Sequence, residues 1–121
     1  MAGEALFVGW GQVVRGREQL ALQVFQEAVG YYGKLQEDGQ IERFDACLLE
    51  PHGGDLAGFF LIHGERSVLD TIRSTAEFQR LMVRAGSVID SLGVMSAYSG
   101  EALGQQMARF GEIAQELPQA N

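Results

Sequence analysis

Residues 41–63 read IERFDACLLE, PHGGD and LAGFFLIH in succession. Two short apolar runs, 41–50 and 56–63, flank a loop of proline, histidine, glycine and aspartate at 51–55, and that punctuation predicts a β-hairpin. The chain on either side is helical in pattern. Upstream, Ala21, Phe25, Ala28, Tyr32 and Leu35 recur at steps of three and four within residues 18–38, which is the spacing of one helical face. Gly39 follows, where a helix end favours a residue tolerant of left-handed backbone. Downstream, two capping-box-like pairs, Ser67 with Asp70 and Ser74 with Glu77, predict a short helical turn over 67–73 and a longer helix from 75 to about 89.

The outer segments complete the order. Residues 5–14 (ALFVGWGQVV) form a β-rich run that reaches the first helix through Arg15-Gly16-Arg17-Glu18, and residues 92–98 (LGVMSAY) form a fourth strand. Ser99 stands where it could cap a last helix over 100–117, which Pro118 helps to end. The order β-α-β-β-α-β predicts an α+β, ferredoxin-like domain with an antiparallel four-stranded sheet, helices on one face, and an added C-terminal helix. One domain over residues 1–121 uses the whole chain.

The strands carry a second message. A sheet with one wet face alternates apolar and polar residues, yet ALFVGW, ACLL and LAGFFLI are apolar on both faces. Two main helices cover one face only. A second copy of the sheet is the simplest cover for the other, so the expectation is a homodimer. In the last helix Leu103, Met107, Phe110, Ala114 and Leu117 follow a heptad-like seam, beside Gly104, Ala108 and Gly111. Such a stripe calls for docking on the chain's own sheet or on the partner.

Composition narrows the function classes. The net charge of −7 comes without a local basic cluster, which argues against nucleic acid and against anionic membranes as partners. The longest central apolar run, 56–62, is too short for a membrane span, and the first residues lack the basic start of a secretory signal, so a cytoplasmic protein is expected. Cys47 is the single cysteine, which excludes an internal disulfide and any multi-cysteine metal site; its apolar neighbours predict a buried small hydrophobe. His52 and His63 have no third ligand at recognisable spacing, so neither a metal nor another cofactor is expected. Gly9-Trp10-Gly11-Gln12-Val13-Val14 lacks the third glycine of a dinucleotide fingerprint and lies inside a strand. His52-Gly53-Gly54-Asp55 reads as a tight turn rather than an anion-binding nest. No G-x-S-x-G nucleophile elbow is present.

The hairpin offers one polar cluster. With 51–55 as the loop, Leu48 pairs with Gly58, Ala46 with Phe60 and Phe44 with Ile62 on an apolar face suited to the helices. The other face carries Leu49–Ala57, Cys47–Phe59, Asp45–Leu61 and Arg43–His63. Asp45 then lies diagonally from His63, within reach of long side chains. Arg43, Asp45 and His63 are candidate catalytic residues, and with Trp10 they are candidate ligand-binding residues. An acid beside His63 would fix one ring tautomer, as acid–base chemistry often requires. An ion pair that guards the sheet edge against strand addition is the plainer reading.

The strand leading into Arg15-Gly16-Arg17-Glu18-Gln19-Leu20, the 55–63 strand, Ser74-Thr75-Ala76-Glu77-Phe78 and the 92–98 strand together make the chain resemble the dimeric α/β-barrel superfamily. In that superfamily two ferredoxin-like sheets pack face to face. Its members include antibiotic-biosynthesis and haem-degrading monooxygenases, isomerases, YCII-related proteins and ligand-sensing domains, and the chain looks most like its small uncharacterised members. Haem-degrading members use an Asn, a Trp and a His, whereas the only Asn here is Asn121, so that triad is not matched by Trp10 and a histidine alone. The resemblance and the residues imply three functions: binding of a small organic molecule in a cavity between sheet and helices, a cofactor-independent monooxygenase or isomerase using a His/Asp pair, or a purely structural assembly role. No motif specifies a reaction.

Overall fold

A computed structural model describes residues 2–118. The elements are β1 (Glu4–Trp10), α1 (Glu18–Glu37), β2 (Arg43–Leu48), β3 (Gly58–His63), α2 (Arg66–Ser74), α3 (Ala76–Gly86), β4 (Gly93–Tyr98) and α4 (Gly100–Glu116). The four strands form one antiparallel sheet in the order β2-β3-β1-β4. Each βα unit thus lays a helix over the sheet, and the two units meet at the central β1–β3 pair.

Residue parity decides which side chains meet the helices. Leu6 and Val8 of β1 pair with Ile62 and Phe60 of β3, and all four are buried. Ala28, Tyr32 and Leu35 of the expected α1 stripe are buried on this face, Ala21 and Phe25 are half-buried against it, and Val24, outside that stripe, is buried with them. Leu69 and Ile72 of α2, then Phe78, Leu81 and Ala85 of α3, close the core. The opposite face presents Phe7, Phe59, Leu61 and Met95 from neighbouring strands. Its middle stays open: the first three are half-buried and Met95 is exposed. Gly9 belongs to this face, where a Cβ would sit 2.5 Å from the Phe7 ring; the missing side chain lets Phe7 stack on Phe59 at 5.2 Å.

Several sequence expectations shift. β1 ends at Trp10 rather than Val14, because the chain turns away to meet the segment after α3. There Gly11 N–H donates to Asp90 O, Asp90 N–H to Gln12 O, and Val13 bridges Ile89. The α2–α3 break is as expected, but the caps are not. Ser67 lies inside α2, with Glu65 at the cap position and no side-chain cap there. Ser74 donates to Asp70 O instead of capping, and Thr75 takes the role by accepting from Phe78 N–H. Cys47 is half-buried on the open face rather than in the core.

For α4 the expectation of docking on the chain's own sheet or on the partner narrows. Its first turn is tied to the chain start: Ser99 N–H and Ser99 Oγ both donate to Gly3 O, Ala102 N–H donates to Ala2 O, and Ala102 is buried. A Cβ on Gly3 would collide with the Ser99 carbonyl, so only glycine lets the two segments approach. Beyond that turn the apolar stripe is open: Leu103, Met107 and Phe110 are exposed, Phe110 at 67%.

Candidate functional site

Two arrangements have the chemistry of a site, and they lie on opposite faces of the sheet. The first begins at the Trp10–Gly58 pair. A Cβ on Gly58 would lie 2.7 Å from the indole, so glycine here gives Trp10 room to lie across β3. The ring packs on Phe60 at 5.2 Å and meets Phe25 edge-on at 6.1 Å. Between this aromatic floor and helices α1 and α3 is a cavity of about 340 Å³.

Exposure along its walls gives the cavity a direction. Tyr32, Ala28 and Leu81 form a closed end, with Tyr32 fully buried. Val13, Leu22 and Leu48 form the other end and are exposed, Leu48 at 73%, so this is the mouth. Glu18, at the start of α1, is the one charged residue on the lining; its carboxylate accepts from Gly16 N–H. The Tyr32 hydroxyl is buried without a hydrogen-bond partner among the described residues. Leaving a buried donor unpaired costs about 1–3 kcal/mol, so such groups call for an occupant or a function. Burial, reinforced by neighbouring Tyr31, pushes its phenol well above the ordinary tyrosine range, and the group remains a neutral donor.

The second arrangement is the polar corner of the open face. The hairpin pairs Arg43 with His63, Asp45 with Leu61 and Cys47 with Phe59, the register that a 51–55 loop predicts. His63 Nε2 lies 2.9 Å from Asp45 Oδ2, and Arg43 Nε lies 3.9 Å from the same oxygen. His63 is 6% exposed although it belongs to the outward face, whereas Asp45 and Arg43 are open to solvent. With a carboxylate as acceptor, Nε2 carries the proton of a neutral ring and leaves Nδ1 free to accept one.

The four candidate residues therefore separate. Asp45 and His63 are hydrogen-bonded, Arg43 stands beside them, and Trp10 is across the sheet in the cavity wall. The His/Asp pair lies on the sheet face opposite the helix-side cavity. Tyr32 and Glu18 line that cavity without belonging to any motif. A tyrosine on the apolar stripe of an amphipathic helix is the signal that points to the first of them, since a buried phenol needs a partner. The 51–55 loop is braced by its own histidine, with His52 Nε2 2.7 Å from Leu56 O and Gly54 N–H donating to Nδ1. Among the described residues no group of three His, Cys, Asp or Glu side chains is placed to hold a metal ion. No helix among them is long and apolar enough to cross a membrane.

No family model and no curated protein matches the chain. Solved structures do match. A conserved protein from Methanosarcina mazei superposes with a TM-score of 0.62 at 10% identity, over 82% of this chain and 95% of that one. A dimeric protein of unknown function with a ferredoxin-like fold from Bacteroides fragilis gives 0.57 at 9% identity, over 80% and 97%. The fold is ferredoxin-like. A further match is SnoaB, a cofactor-independent oxygenase from Streptomyces nogalater, at a TM-score of 0.56 and 13% identity over 84% of this chain and 98% of that one. Identities this low speak to the fold alone.

Proposed function

We propose that this protein is a homodimeric domain that binds a small organic molecule in the cavity between sheet and helices. The observation that carries the reading is the cavity itself, about 340 Å³ between sheet and helices, lined by Trp10, Phe25, Phe60 and aliphatic side chains with Glu18 as its one charged residue. A pocket with an apolar lining and few polar groups is the usual form of a small-molecule site. Self-association is supported by the open apolar face and by Leu103, Met107 and Phe110 of α4, which are exposed. A helix is stabilised mainly by packing of its apolar face, and a partner would supply that packing for this stripe. The match to a dimeric Bacteroides fragilis protein supports the same assembly. A cytoplasmic location belongs to this reading as well.

Native mass spectrometry on protein purified from cells tests both parts at once. The expected result is a dimer mass carrying an organic adduct that is lost when Ala28→Phe fills the cavity. A bare monomer at micromolar concentration, or an adduct indifferent to Ala28→Phe, overturns the proposal.

The His63–Asp45 pair favours a second reading, in which the space between two facing sheets hosts acid–base chemistry and Arg43 holds an anionic group. Its support is a nearly buried imidazole hydrogen-bonded to a carboxylate on a face that lacks other charge at its centre. The SnoaB match lends the idea of a cofactor-independent oxygenase. Under this reading, His63→Ala and Asp45→Ala each weaken ligand retention without dissociating the dimer; unchanged retention in both leaves only an edge ion pair.

A further inference from the structure

The apolar side of α4 has the pattern of a helix seam, and what fills that seam can be inferred on the basis of the proposal that the chain is a homodimer. Leu103, Met107, Phe110, Ala114 and Leu117 fall at alternating steps of four and three, the a and d positions of a heptad. Leu103, Met107 and Phe110 are exposed, and so is Ile113 beside them. Ala102, in the first turn, is the one buried residue among the described residues of the helix. The charges of α4 are Glu101, Arg109, Glu112 and Glu116. At about 100° per residue, all four fall within an arc of about 80° on the side opposite the seam.

Charge and width decide between the surfaces that could cover such a helix. A helix that lies on a lipid surface carries lysine and arginine on its polar face, whereas this face has three acids and one arginine. A stripe centred on a and d positions is narrower than the face a helix lays on a sheet, and it fits a second helix. The positions flanking the seam are Gly104, Gln106, Gly111 and Ile113. In paired helices the flanking positions commonly hold the charges that choose a partner; here none is charged, so nothing beside the seam repels an identical copy. A Cβ on Gly104 or Gly111 would meet nothing within 4 Å, so the space beside the seam is open to a closely packed neighbour. Continuity favours the same occupant. A single residue, Ser99, separates α4 from edge strand β4, which bears exposed Met95 on the open sheet face. The seam therefore adjoins the face that a second copy is proposed to cover. At about two heptads it is too short to hold two chains by itself, and that face supplies the remaining contact.

We propose that α4 pairs along this seam with α4 of the second copy, so that Phe110, the middle of the five seam positions, meets its own counterpart at the two-fold axis. A closed two-fold contact centred on the seam puts residue 110 opposite itself whether the two helices run parallel or antiparallel.

Charge complementation tests the pairing. Full-length Phe110→Glu and Phe110→Lys are made separately, and are also co-expressed with different affinity tags that set their masses apart. Each variant alone is expected to dimerise at least about tenfold more weakly than wild type, because two like charges meet at the axis. Co-expressed, the two are expected to co-purify as a mixed dimer that native mass spectrometry reads directly, since opposite charges then face each other. Co-expression keeps the test valid where either variant alone fails to fold. Variants that each dimerise as wild type does overturn the inference. So do variants that fail to dimerise alone and fail again together, which would put α4 on the partner's sheet or on a different protein. Both of those results leave the homodimer standing. A wild-type chain that is monomeric at micromolar concentration removes the homodimer and this pairing with it.

Discussion

Phe59 and Phe60 are identical, adjacent and on the same strand, and they belong to two different structures. Phe60 points to the helices and is buried, its ring between 5.1 and 5.4 Å from those of Trp10, Phe25 and Tyr32. Phe59 points the other way and is half-buried, and its aromatic neighbour among the described residues is Phe7, stacked on it. One residue of strand register separates a finished core from a surface as apolar as a core. The contrast teaches that apolarity on both faces of a strand marks an unfinished molecule, here one proposed to be completed by its own copy. Monomeric proteins rarely leave a contiguous apolar patch of this kind open.

The largest expected effect breaks the comparison on its buried side. Phe60→Ala removes the centre of the aromatic cluster and should cost about 3–5 kcal/mol in any assembly state. Phe59→Ala should show a loss that depends on protein concentration, since its ring completes its burial only in the dimer. Urea denaturation at several protein concentrations separates the two. A concentration-independent loss of similar size for Phe59→Ala would remove the distinction between the faces.

The next effect sharpens the open side. Met107→Asp with Phe110→Asp places two charges on the exposed α4 stripe, where the monomer itself has little to lose. At an interface above the roughly 1,000 Å² expected of a biological contact, two unpaired buried charges should weaken dimerisation by about 100-fold or more. Sedimentation velocity reads the change. A dimer of unaltered stability would show that α4 serves another partner or none.

The hairpin is the most legible part of the sequence because its register is local. A short loop between two apolar runs fixes the pairing of every residue from Arg43 to His63, and with it the Asp45–His63 contact. Trp10 parts from that pair for the opposite reason. Its partner Gly58 lies five residues from His63 on the same strand, hence on the other face, but no turn sets the β1–β3 register. The end of β1 is also set nonlocally: a Cβ on Gly11 would collide with the Asp90 carboxylate, and the valines after it leave the sheet to meet the α3 exit. Ser67 and Asp70 fit a capping box by spacing, yet the helix starts a residue earlier, at Arg66, whose guanidinium bonds both Asp70 and the Tyr98 hydroxyl. Such long-range partners leave no trace in spacing. The unpaired state of Tyr32 is less visible still, since it depends on every element that surrounds the hydroxyl.

A smaller effect tests that hydroxyl without any ligand. Tyr32 has a folded pKa raised by burial, with Tyr31 adding to the shift. Below the unfolded tyrosine value of about 10, the phenol is protonated in both states and titration has no effect on stability. Above it, the unfolded chain loses the proton while the folded chain keeps it, so the unfolded state binds fewer protons and stability falls with rising pH. The loss continues until the pH reaches the raised folded value. Tyr32→Phe removes this group from the balance and also removes an unpaired buried donor. Its neutral-pH stability should therefore equal or exceed that of wild type by up to about 1–2 kcal/mol. Its stability should also fall less steeply above about pH 10, with the residual slope left to Tyr31, which is raised mainly by burial as well. Urea midpoints measured from neutral to strongly alkaline pH give both numbers. A Tyr32→Phe variant that is less stable at neutral pH would mean the hydroxyl already has a partner, such as a trapped water, that satisfies it inside the core.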